Sequence, residues 1–174
     1  MALTLVLGGA RSGKSGFAQA KAEVQAEAHG LPAGRLVMIV TGQAFDDEMR
    51  QRIEQHRRER GDAWRTVEAP LDLPQALESV GADDVVVVDC LTLWLSNLML
   101  AGQDVATETD ALLATLRRTK NPVWLVSNEV GLGIVPENAL ARRFRDEAGR
   151  LHRQLAAQAD HVVLMVAGLP LKVK

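Results

Sequence analysis

Eight consecutive residues, Gly8-Gly9-Ala10-Arg11-Ser12-Gly13-Lys14-Ser15, match the pattern G-x-x-x-x-G-K-[ST]. An apolar run, Leu3–Leu7, precedes them, and a stretch rich in Ala, Glu, Gln and Lys, Lys14–His29, follows. A glycine loop between a strand and a helix is the context this pattern needs. Glycines let the backbone close around phosphate oxygens with N–H groups pointing inward. The following helix offers its free N–H groups and the positive end of its dipole. Lys14 reaches β- and γ-phosphates, and the Ser15 hydroxyl is a ligand for Mg²⁺. The alternative is a tight turn that binds nothing. The fixed positions match by chance in fewer than ~1% of chains this long, so the phosphate reading is preferred.

The rest of the chain repeats the same alternation. Leu36–Thr41, Val85–Asp89, Val123–Ser127 and His161–Val166 are short and almost continuously apolar. Such runs suit strands buried on both faces, as in a parallel sheet covered by helices. Helices are predicted at Lys14–His29, Asp46–Arg60, Leu91–Leu100, Thr107–Thr119 and Glu137–Ala159, with Pro136 at the first helical position of the last. Pro170–Lys174 suits a short antiparallel edge strand. The expected fold is α/β and P-loop NTPase-like, a mostly parallel sheet flanked by helices with a RecA-like core. No repeat, linker or low-complexity segment divides the 174 residues, so one domain over 1–174 is expected.

Composition narrows the class of function. Lys plus Arg number 20 and Asp plus Glu 22, a net charge of -2, so nothing basic points to nucleic acid. The single cysteine, Cys90, excludes an internal disulfide framework and fits a reducing compartment. The longest apolar runs, such as Val162–Ala167, fall far short of the ~20 residues a membrane span requires. A cytoplasmic protein is expected.

Two further elements bear on chemistry. Val85–Asp89 resembles a Walker B strand, with Asp89 placed to hold Mg²⁺ directly or through water; otherwise it is a surface acid at a strand end. The G-protein base motif N-K-x-D is absent. Of four histidines, His29 and His161 read as element ends, and His152 as a helix residue facing solvent. His56 lies within Asp46–Arg60, which carries five acids and five bases. On a helix, Met49, Ile53 and His56 fall on one stripe, with arginines around it. A neutral imidazole can attack an α-phosphorus and hold a nucleotide as a phosphoramidate. Spacing alone favours the plainer reading, a core-edge histidine on an ion-paired helix.

Several segments in order resemble one family. They are GGARSGKS at Gly8–Ser15, DDEM at Asp46–Met49 with Arg52, Ile53 and His56, and WRTVEAP at Trp64–Pro70. VDCLTLWL at Val88–Leu95 and SNEVGLGIVPEN at Ser127–Asn138 follow, continuing through Arg142–Asp146 and Gly149-Arg150. Together they are similar to the bifunctional adenosylcobinamide kinase / adenosylcobinamide-phosphate guanylyltransferases of cobalamin synthesis. The resemblance implies two reactions: phosphorylation of adenosylcobinamide by ATP or GTP, then guanylyl transfer from GTP to adenosylcobinamide phosphate through a GMP-histidine. It puts that nucleophile at His56. It implies nucleotide contacts at Gly8, Gly9, Ala10, Arg11, Ser12, Gly13, Lys14 and Ser15, at Val40, Thr41 and Gly42, at Arg57, Arg58, Glu59 and Arg60, and at Glu68 and Asp89. Mg²⁺ is expected on Ser15 and Asp89, and a homotrimer is implied.

Glu68 reads either as a solvated acid or as a carboxylate accepting guanine N1–H and N2–H. In the segment 128–138, Gly131 and Gly133 shape a strand-to-helix turn, or Asn128 and Glu129 line a substrate cleft at the carboxyl ends of the strands. Two other functions fit the glycine loop: a simple small-molecule kinase in which His56 is structural, and a non-catalytic nucleotide switch.

Overall fold

The computed structural model describes residues 2–32, 34–42 and 63–174. Seven strands form one sheet: β1 (Leu3–Gly8), β2 (Leu36–Val40), β3 (Trp64–Glu68), β4 (Val85–Asp89), β5 (Val123–Asn128), β6 (His161–Val166) and β7 (Leu169–Lys172). Their order across the sheet is β3-β2-β4-β5-β1-β6-β7. All neighbours are parallel except β6 and β7, which form an antiparallel hairpin at one edge. The described helices are α1 (Lys14–Ala28), α2 (Leu73–Glu78), α3 (Leu91–Leu100), α4 (Val105–Arg118) and α5 (Ala139–Gln158).

The apolar runs are buried on both faces because alternate residues feed two cores. Leu3, Leu5, Val37, Ile39, Val86, Val88, Val123 and Leu125 face one side, packed with residues of α2, α3, α4 and α5. Val6, Met38, Val85, Val87 and Val126 face the other, against Ala18, Ala22 and Ala26 of α1. Those alanines recur every fourth residue, so α1 lays a smooth stripe on the strands. Among the described residues, no helix is long and apolar enough to cross a membrane.

The sequence expectations met four corrections. The strand β3 and the short helix α2 escaped them. β3 is an outer strand whose exposed Arg65 and Glu68 break the apolar run, and α2 has only six residues with Pro74 in its first turn. The last helix begins at Ala139, not at Pro136–Glu137. Asn138 caps it, accepting a hydrogen bond from the Ala141 N–H at 3.0 Å. The fourth helix starts at Val105, two residues before Thr107, because Asp104 caps it through the Thr107 N–H at 2.8 Å. The expected helix Asp46–Arg60 lies outside the described residues.

Candidate active site

Of the predicted nucleotide residues, the sheet's carboxyl edge gathers the glycine loop, Val40, Thr41, Gly42, Glu68 and Asp89. β1 ends at Gly8, where an added Cβ would meet Ser12 Oγ at 2.6 Å and the Met165 carbonyl at 2.7 Å. Only glycine fits that approach. The loop then turns through Arg11 and Gly13, both at positive φ, into α1. No side chain caps α1 and no acid sits in its first turn, so its amide end stays open to an anion. The hairpin joining β6 to β7 braces the loop, since the Gly168 N–H donates to the Ser12 carbonyl at 3.2 Å. Ser12 Oγ is buried with no hydrogen-bond partner among the described residues, an orphan in the phosphate cradle.

Lys14 is buried and donates to the Gly9 carbonyl at 2.5 Å, folded back along its own loop. Burial pulls its ammonium below the usual lysine range, while the Asp89 carboxylate pushes it back up. Asp89 therefore lies within the electrostatic reach of Lys14. It ends β4, in register with Val40, and Val40 is also in register with Glu68. Glu68, Val40 and Asp89 thus form one row across three strands. The exposed Glu68 carboxylate marks its outer end. Asp89 is also in register with Val126 of β5, whose Asn128 lies beside Gly8.

Thr41 holds this row together. Its N–H donates to the Asp89 carbonyl at 3.1 Å, and its carbonyl accepts from Asn97 Nδ2 at 2.8 Å. Its hydroxyl donates to the Cys90 carbonyl at 2.7 Å and accepts the Cys90 N–H at 3.0 Å. Every polar group of Thr41 is engaged within the fold, so its part is to fix the strand ends. Beside it, burial first and then Asp89 push the Cys90 thiol up, which keeps it protonated and out of nucleophilic chemistry.

His56, Arg57, Arg58, Glu59 and Arg60 lie outside the described residues. Gly42, the last described residue before them, follows β2 at the same carboxyl edge. The reading of His152 as solvent-facing is overturned: it is buried, and its Nε2 lies 2.7 Å from Ser127 Oγ. α5 turns this polar position inward because Ala148, Leu151 and Leu155 share its face. Thr92 was also missed. Its hydroxyl accepts from Asn128 Nδ2 at 2.9 Å and lies 3.3 Å from Cys90 Sγ. Its sequence signal was its place in VDCLTLWL, three residues after Asp89.

An Mg²⁺ ion suits the donors present, because a hydroxyl and a carboxylate are hard oxygen ligands and such ions retain several waters. Among the described residues, no group of three or more His, Cys, Asp or Glu side chains forms a fuller metal cage.

A bifunctional adenosylcobalamin biosynthesis protein CobP of Pseudomonas aeruginosa is 47% identical over 173 residues, covering 98% of this chain and 96% of that protein. The protein CobU of Escherichia coli, with the same description, is 39% identical over 188 residues and covers 99% of each. Among solved structures, the flagellar accessory protein FlaH from Methanocaldococcus jannaschii superposes with a TM-score of 0.58 at 15% identity. It covers 99% of this chain and 78% of FlaH, a likeness of fold alone. The profile of one family, described as cobinamide kinase / cobinamide phosphate guanyltransferase, matches residues 4–173, and the chain belongs to that family.

Proposed function

We propose that the chain runs both reactions of its family at the carboxyl edge of the sheet, with the glycine loop as the triphosphate site and His56 as the carrier of GMP. The observation that supports this most is the row itself: the loop, Asp89, Val40 and Glu68 share one edge of adjoining strands. In the first reaction, ATP or GTP phosphorylates the aminopropanol hydroxyl of adenosylcobinamide. Gly8, Gly9, Ala10, Arg11, Ser12 and Gly13 wrap the phosphates, and Lys14 leaves the Gly9 carbonyl to meet the transferring group. Ser15 and Asp89 would hold Mg²⁺, which neutralises charge on the phosphate oxygens.

In the second reaction, the neutral His56 imidazole attacks the α-phosphorus of GTP. A P–N bond forms, and the α,β-bridging bond breaks with its electron pair leaving on pyrophosphate. An oxygen of adenosylcobinamide phosphate then attacks the same phosphorus, and the P–N bond breaks to give adenosylcobinamide-GDP. Arg57, Arg58 and Arg60 stabilise the phosphate charge, with Glu59 beside them. Val40 and Gly42 line the nucleotide, Thr41 sets their position, and Glu68 accepts the guanine N1–H and N2–H. The working form is a homotrimer in the cytoplasm.

Labelling with α-³²P-GTP tests this reading against a simple kinase. The label should stay on denatured protein, be lost in acid, and transfer to adenosylcobinamide phosphate when that is added. A chain that phosphorylates adenosylcobinamide but never takes up the label is a kinase alone.

A further inference from the structure

One buried polar chain has no part in those roles. Ser127, at the end of β5, is fully buried against His152 Nε2 at 2.7 Å. The other ring nitrogen, Nδ1, faces Glu129 Oε2 at 3.8 Å. A serine without solvent access cannot attack a substrate, so this is no hydrolytic triad. The chain leads outward to Glu129, whose side chain is 23% exposed.

Glu129 stands beside the glycine loop. Its N–H donates to the Gly8 carbonyl at 2.9 Å, extending the pairing of β5 with β1. Its Oε1 accepts the Gly131 N–H at 2.5 Å. No donor among the described residues lies within hydrogen-bond distance of Oε2. The turn is shaped around this carboxylate: a Cβ on Gly131 would meet Oε1 at 2.8 Å, and Arg145 Nη2 holds the Gly131 carbonyl at 2.9 Å.

Phosphorylating a hydroxyl requires that its proton be taken up. We propose that Glu129 accepts the acceptor hydroxyl's proton in the kinase step, and that His152, 3.8 Å behind Oε2, is the positioning residue that confines its carboxylate. The inference rests on the kinase activity of the family. The acceptor oxygen bonds to the γ-phosphorus as its O–H bond breaks and the proton passes to Oε2. The β,γ-bridging bond breaks, its electron pair leaving on the nucleoside diphosphate, and Glu129 later returns the proton to water. Guanylyl transfer has a phosphate oxygen as acceptor and needs no such proton removal. Glu129 therefore serves one of the two reactions.

The test measures both rates on the same preparations at saturating nucleotide and Mg²⁺. One assay supplies adenosylcobinamide and the other adenosylcobinamide phosphate. Glu129→Gln should lower the ratio of kinase to guanylyl-transfer kcat by about 100-fold or more, with little change in the nucleotide KM. Glu129→Asp should restore part of the ratio. Gly131→Ala displaces the carboxylate while leaving it ionised, and should lower the ratio about tenfold. His152→Gln should do the same without raising KM. An unchanged ratio in Glu129→Gln, a matched loss of both rates, or a shifted Mg²⁺ requirement would overturn the role of Glu129. Equal loss of both rates in His152→Gln, with a lowered Tm, would reduce His152 to a core residue. A wild-type chain without kinase turnover removes the reading beneath the proposal, and is distinguished at once from a wild type and a Glu129→Gln variant that turn over alike.

Discussion

Lys14 Nζ donates to the Gly9 carbonyl, closing the glycine loop on itself. Among the described residues, this buried positive charge of the loop is held by a single neutral acceptor, with Asp89 within electrostatic reach. A buried ammonium so lightly paired gains greatly from an arriving phosphate. Lys14→Ala should therefore stay folded and lose kcat/KM by about 100-fold or more in both reactions. Near-normal turnover at saturating nucleotide would show that phosphates bind elsewhere.

The row of strand ends makes a second prediction. Asp89→Asn keeps the shape of the β4 terminus and removes one charged oxygen. The Mg²⁺ titration of the kinase step should move to higher concentration, because a site with few protein ligands depends on each. An unmoved titration would leave Asp89 as a structural acid.

Thr41 joins β2 to the end of β4 through three hydrogen bonds, to Asp89 and Cys90, and to α3 through a fourth, from Asn97. Thr41→Val preserves volume but strands the Cys90 N–H in the core. The loss should be about 1–3 kcal/mol, read as a lower midpoint in urea. A midpoint equal to wild type would mean that the strand ends are held without this hydroxyl.

The sequence revealed the parallel core because its runs are continuously apolar, and it revealed the glycine loop because phosphate binding demands those glycines at that spacing. It was silent on β3, where WRTVE alternates charge with bulk at the edge of the sheet. It also misread His152. Only three-dimensional packing shows that α5 turns this residue onto Ser127, 25 positions earlier. Asp89 and Glu68 were visible as acids after apolar residues, yet their shared register with Val40 needed the strand order.

His152 also ties stability to pH. Burial lowers its folded pKa below the ordinary value of 6.5, with Glu129 opposing in part. Below about pH 6.5 the unfolded chain takes up a proton that the folded chain resists. The unfolded state then binds more protons, so this contribution to stability is lost as pH falls through the folded pKa. The slope within that window is at most about 1.4 kcal/mol per pH unit. Urea midpoints at pH 7.0, 6.0 and 5.0 should fall more steeply for wild type than for His152→Gln. Parallel curves would mean that the imidazole protonates equally in both states.

The central claim is that one chain both transfers phosphate at the glycine loop and carries GMP on His56. Intact-protein mass spectrometry after incubation with GTP and Mg²⁺ tests it most directly. Wild type should gain the mass of one GMP per chain. His56→Asn, shown by circular dichroism to be folded, should gain none while it still phosphorylates adenosylcobinamide. A folded His56→Asn chain that still accumulates one GMP would contradict the account and put the nucleophile elsewhere.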